Sequence, residues 1–194
     1  MTAPPAAPLA GRVPIFDLDG TLLDSDPAIL AAFAAVGVPA DAVVFGPVLE
    51  VECARHRVDP ADYLAAYDPT LARPFPGVDE VVRVLPRWAV CSNKRREPGH
   101  DALRRAGWTP EVALFSEDFG GPKHLGPVLD ALRLGPDEVV FVGDTDHDRD
   151  GADAVGCPFV VAGWNARVSG LDGAFVVAEP RGLLDLLGLT RRLG

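Results

Sequence analysis

Four short groups of residues in this 194-residue chain have types and spacing suited to chemistry. Asp17 and Asp19 stand two apart in Asp17-Leu18-Asp19-Gly20-Thr21. Ser92 is followed by Asn93 and Lys94, and Lys123 closes Gly120-Gly121-Pro122-Lys123. Asp144 and Asp148 stand four apart in Gly143-Asp144-Thr145-Asp146-His147-Asp148. Side chains two apart in an extended segment lie on one side of it, so Asp17 and Asp19 can face one common group. Nine of the 28 acidic residues fall within 17–26 and 144–153. Clustered acids cannot all ionise unless cations balance them. Of 18 basic residues 16 are Arg, and the two lysines are Lys94 and Lys123. Carboxylates of this kind can serve as nucleophile, acid or base and as hard donors to a cation, and the two lysines can offset their charge.

The elements that must position these groups are legible as apolar runs. Val13–Phe16 reads as a strand, with Pro14 tolerable near its start. Trp88–Cys91, Val112–Phe115, Val139–Val142, Phe159–Val161 and Ala174–Val177 read as further strands. Helices are expected after Asp24-Ser25-Asp26-Pro27, an N-cap cluster with proline at the first turn, and near Val48–His56 and Pro60–Tyr67. Others are expected at Gly77–Leu85, Pro98–Ala106, around Leu125–Leu132, before Gly156 and at Arg181–Leu187. Strands alternating with helices imply an α/β protein with a parallel sheet. The stretch 24–73 breaks that alternation once and reads as an all-helical insertion. In open parallel sheets ligands bind at the carboxyl ends of strands, which is where Asp17, Ser92 and Asp144 fall.

The four groups, in this order, resemble the motifs of the haloacid dehalogenase superfamily, and of its phosphatase branch in particular. The string Phe16-Asp17-Leu18-Asp19-Gly20-Thr21 is similar to the first motif. Ser92 stands at the second, Lys123 at the third and Asp144 to Asp148 at the fourth. Ser92-Asn93-Lys94 is similar to the Thr-Asn-Lys of phosphoglycolate phosphatase-like members. The resemblance spans about residues 13–165 and implies a Rossmann-like three-layer core over 12–23 and 74–194. A reduced helical cap would occupy 24–73, after a loose Pro/Ala-rich tail over 1–11.

What the resemblance implies chemically is Mg²⁺-dependent hydrolysis of a small phosphomonoester, phosphoglycolate-like or a sugar phosphate. Asp17 would be the nucleophile, forming an aspartyl-phosphate. Asp19 would be general acid, then base. Mg²⁺ would be held by Asp17, the Asp19 backbone carbonyl, Asp144 and Asp148, the last directly or through water. Such hard oxygen donors suit that ion. Thr21, Ser92 and Lys123 would bind the phosphoryl group, with Asn93 and Lys94 beside them. The same motifs serve a phosphomutase, a nucleotide or protein phosphatase, or a degenerate binding module. A dehalogenase is disfavoured, because it needs no acid at Asp19. The cap is shorter than the four-helix type, which leaves the substrate open. Arg55, His56, Arg57, Arg95 and Arg96 read first as solvated, although each could meet an anionic substrate.

The remaining features are exclusions. A formal net charge of −10 argues against a broad basic nucleic-acid face. Cys53, Cys91 and Cys157 lack CxxC spacing and read as buried thiols in a reducing compartment. The N-terminal segment does not read as a signal peptide, and no apolar run is long enough for a membrane span. A cytoplasmic monomer or homodimer is the expectation.

Overall fold

A computed structural model describes residues 7–168, 170, 171, 173 and 175–189. Six strands form one parallel sheet: β1 (Val13–Phe16), β4 (Ala89–Cys91), β5 (Val112–Leu114), β6 (Val139–Gly143), β7 (Phe159–Ala162) and β8 (Phe175–Val177). Their order is β5-β4-β1-β6-β7-β8, so β1 is central. Two further strands, β2 (Leu23–Asp24) and β3 (Arg73–Pro74), pair antiparallel outside that sheet.

Alternation along the strands divides the core into two faces. Phe16, Val90, Val140, Val142 and Val160 pack on one face with Val78, Val81 and Val82 of α4 (Val78–Val84), Leu103 of α5 (Arg96–Ala106) and Leu183 and Leu184 of α9 (Gly182–Leu186). Ile15, Ala89, Cys91, Phe141 and Val161 pack on the other with Val128 and Leu129 of α7 (Gly126–Leu132) and Ala152 of α8 (Asp146–Val155). The protein is therefore a three-layer α/β fold of Rossmann-like type. Pro14 is accommodated in a central strand because β4 pairs only with Ile15 and Phe16.

Between β2 and β3 the chain forms α1 (Asp26–Ala35), α2 (Leu49–His56) and α3 (Pro60–Ala66). These close around a separate apolar cluster of Ala32, Phe33, Val38, Val43, Cys53 and Tyr63. Phe33 and Tyr63 pack with ring centroids 4.6 Å apart and their planes tilted by 49°. Asp59 caps α3 by accepting from the Ala61 N–H at 2.8 Å. Glu52 ties the cluster together from within: its Oε1 accepts from the Val44 N–H at 2.7 Å and from Arg55 at 2.8 Å. Arg55 also donates to the Ala42 carbonyl. Burial raises the Glu52 carboxyl, but bonds from Arg55, Val44 and His56 bring it net below the ordinary glutamate range.

Several expectations need correction. The ends of the insertion are not helical: Leu23 pairs with Pro74 and Asp24 with Arg73, forming a clasp at its base. Two-residue strands carry no periodicity, and only a partner fifty residues away creates them. The tail is ordered from Ala7, since Leu9 is buried and its N–H donates to the Leu186 carbonyl at 2.9 Å. A short helix, α6 (Ser116–Phe119), follows β5, in a stretch for which the sequence suggested no element. Residues 1–6 of the expected tail, and Ala174 of the expected last strand, lie outside the described residues. All three cysteines are free and buried. Among the described residues no helix is long and apolar enough to cross a membrane.

Glu52→Ala leaves the Val44 N–H without its acceptor and takes the carboxylate from Arg55 and His56. It is expected to cost about 2 kcal/mol in a urea titration at neutral pH. Because the folded carboxyl lies below its unfolded value, the wild-type advantage is full above the ordinary glutamate range. It shrinks as the pH falls through the folded value.

Candidate active site

The site lies at the carboxyl ends of the three central strands. Asp17 directly follows β1, and its N–H donates to the Val142 carbonyl on β6 at 2.9 Å. Asp144 directly follows β6. Thr145 caps α8, with Asp148 reaching back three residues. Asp148 Oδ2 accepts from the Thr145 N–H at 2.9 Å, the Thr145 hydroxyl at 2.6 Å and the Asp144 N–H at 3.2 Å. Its other oxygen is thereby turned toward Lys123. A Cβ at position 143 would come within 2.4 Å of Asp148, so only glycine lets α8 approach β6 this closely.

Lys123 Nζ stands 2.8 Å from Asp17 Oδ1 and 2.6 Å from Asp148 Oδ1. Neither oxygen accepts a well-directed hydrogen bond, although both are buried. Asp17, Asp144 and Asp148 offer oxygens that all lie within 4.8 Å of one another. Three hard donors this close, two of them incompletely satisfied, suit a divalent cation such as Mg²⁺. Burial, reinforced by Asp148 and Asp19 and opposed by Lys123, raises the Asp17 carboxyl to about 6. Burial, with Asp148 and Asp17 nearby, raises Asp144 to about 8 against the pull of Arg167 and Thr21. Burial lowers the Lys123 ammonium, but contact with Asp148 and Asp17 more than reverses this and holds it above the usual lysine range.

Above this cluster lies a cavity of about 110 Å³. Its floor is polar: Asp17, Asp19, Ser92, Asn93, Lys94, Lys123, Thr145 and Arg167. Its roof is largely apolar and belongs to the insertion, with Ile29, Phe33, Phe45, Leu49, Tyr63 and Tyr67 among the lining groups. The four sequence groups thus converge on one space. Within that space, Lys94 Nζ donates to both oxygens of Asp19 at 3.0 Å and to the Tyr67 hydroxyl at 3.1 Å. Burial lowers the Lys94 ammonium, and Asp19 and Tyr67 return it to above its ordinary range.

Two expected phosphate ligands are engaged elsewhere. The Thr21 hydroxyl donates to Asp144 Oδ1 at 2.9 Å, and the residue is fully buried outside the cavity wall. Gly20, with φ +83°, brings the turn hard against Asp144, and this carries Thr21 under the carboxylate. Asn93 reaches the cavity but is used at both ends of its carboxamide. It donates to the Gly46 carbonyl at 2.7 Å and accepts from the Lys123 N–H at 2.7 Å. Its work is to hold the lysine segment and the insertion in place. Arg55 and His56 lie against Glu52. Arg95 stands between Glu50 and Glu117 at 3.7 and 3.6 Å.

Sequence reasoning missed the loop after β7. Trp164 Nε1 donates to the Thr21 carbonyl at 2.8 Å, and Asn165 Nδ2 donates to the Gly20 carbonyl at 2.8 Å. Arg167 Nη2 donates to Asp144 Oδ2 at 2.7 Å. The signal was available, since Trp164-Asn165-Ala166-Arg167 follows an apolar strand as the other groups do.

A phosphoglycolate phosphatase from Xylella fastidiosa is 32% identical over 190 residues, covering 80% of this chain and 82% of that protein. The chain belongs to the haloacid dehalogenase superfamily. Within it, this chain is a phosphatase of the phosphoglycolate phosphatase-like group. A pyrophosphatase from Halalkalibacterium halodurans is 27% identical over 209 residues, covering 92% of this chain and 97% of its own. The fold is shared with a haloacid dehalogenase-like hydrolase of Streptococcus pneumoniae, at a TM-score of 0.73 and 22% identity, covering 89% of this chain and 96% of that one. No family model matches the chain.

Removing the Lys123 ammonium leaves two buried carboxylates facing each other. Lys123→Ala is expected to lower stability by about 3 kcal/mol in metal-free denaturant titration.

Proposed function

We propose that this phosphatase hydrolyses a small phosphorylated metabolite, phosphoglycolate-like or a sugar phosphate, with Mg²⁺ and through an aspartyl-phosphate on Asp17. The observation that carries the reading is the buried cluster of Asp17, Asp144 and Asp148 opening on a small cavity beside Lys123. Asp17, the Asp19 backbone carbonyl, Asp144 and Asp148 would hold the ion, Asp148 directly or through water. When bound, the ion supplies positive charge against the phosphoryl oxygens.

Asp17 attacks phosphorus as a carboxylate, and Lys123 beside it stabilises that charged form. Ser92, buried at the end of β4, and Lys123 orient the phosphoryl oxygens. Asp19 gives a proton to the leaving oxygen and then takes one from the hydrolytic water. Lys94 occupies both Asp19 oxygens, so Asp19 takes up this role once Lys94 has turned to an anionic group of the substrate. The insertion serves as the cap: its apolar roof displaces water from the cavity and limits the leaving group to a small one. The relatives named phosphoglycolate phosphatase support a compact, anionic metabolite. We place the protein in the cytoplasm, as a monomer or homodimer, consistent with its three free cysteines.

Asp17→Asn is the direct test. Hydrolysis of an aryl phosphate in Mg²⁺ is expected to fall by about a thousand-fold or more with an unchanged circular dichroism spectrum. Undiminished turnover overturns the assignment. Chelation of the metal is expected to abolish wild-type turnover, and added Mg²⁺ to restore it.

A further inference from the structure

Two arginines at the cavity, Arg95 and Arg167, belong to none of the four motifs. Arg167 lies beyond β7, the strand beside β6, and its side chain is 25% exposed. Besides its bond to Asp144, its Nε and Nη2 donate to Asp26 at 2.8 and 3.2 Å. Its guanidinium carbon lies 3.9 Å from the centroid of the Phe45 ring. Asp26 begins α1 and Phe45 lines the cavity roof, so one side chain joins the carboxylate cluster to two points of the insertion. The backbone holds it there: the Arg167 N–H donates to Asn165 Oδ1 at 3.0 Å, and Asn165 is anchored on Gly20.

We infer that Arg167 is a positioning residue that holds Asp144 in place of a divalent cation and competes with that cation for the carboxylate. This rests on the metal-binding reading above. The cluster of Asp17, Asp144 and Asp148 carries three negative charges when ionised, and Lys123 and Arg167 each offset one. With Arg167 in place the cluster is nearly balanced before any metal arrives. Its attraction for a dication is correspondingly weakened. Arrival of the ion releases Arg167 from Asp144 while its bonds to Asp26 remain. The guanidinium then stays at the cavity edge under Phe45, as a cation available to the bound phosphate ester.

Calorimetric titration of the full chain with Mg²⁺ and with Mn²⁺, without substrate, tests this. Arg167→Met keeps an unbranched apolar side chain at this position and removes the charge, so both ions are expected to bind about ten-fold more tightly. Asp26→Asn leaves Arg167 more fully committed to Asp144 and is expected to weaken binding by about three-fold. A purely structural role would not move the two affinities in opposite directions. Unchanged or weaker binding by Arg167→Met, in a protein with native circular dichroism, overturns the inference even if wild-type hydrolysis is intact. If Arg167→Met does not fold, unchanged or tighter binding by Asp26→Asn overturns it. A wild-type protein that binds neither ion and hydrolyses no aryl phosphate overturns both this inference and the proposed function.

Discussion

The contact of Lys123 with Asp17 and Asp148 is the constraint on which the rest of the molecule depends. Three carboxylates are gathered at the ends of two adjacent strands, where water is largely excluded. Burial and mutual repulsion push the carboxyls of Asp17 and Asp144 upward, to about 6 and about 8. A buried ammonium between two of the acids offsets that repulsion without filling the space beside them. The three-layer fold, packed on both faces of its sheet by apolar side chains, holds those charges at fixed distances.

Everything around the cluster limits its movement. The central position of β1 between β4 and β6 sets Asp17 beside Asp144. Gly143 lets α8 approach so that Asp148 can cap its own helix and still offer an oxygen to Lys123. Gly20 folds the turn after β1 against Asp144, and Trp164 and Asn165 fasten that turn by its carbonyls. These are backbone and helix-terminus contacts, which hold a site more firmly than surface ion pairs.

The insertion is coupled to the site by charge rather than by a broad apolar seam. It has its own core around Phe33 and Tyr63, and Glu52 braces it from within. Polar links cross to the sheet from several points: Asn93 to Gly46, Lys94 to Tyr67, Arg95 to Glu50, and Arg167 to Asp26 with Phe45 above it. A unit with a separate core and a few polar ties can change its distance from the sheet at low cost. The same cations that meet the site's acids also meet the insertion, so its attachment and the charge of the site are linked.

Sequence alone determined the alternation of strands and helices, the break in it over 24–73, and the placing of Asp17, Ser92 and Asp144 at strand ends. Those features are local: apolar periodicity, turn residues and caps act over a few neighbours. The scarcity of lysine also singles out Lys94 and Lys123 from composition alone. Tertiary structure alone decided where the side chains spend their hydrogen bonds. It put Thr21 under Asp144 instead of in the cavity, drew Asn93 between Lys123 and Gly46, paired Leu23 with Pro74, and brought Arg167 across 23 residues of chain to Asp144. Such contacts join segments far apart in the chain, and burial forces each polar group there to find whichever partner the packing provides.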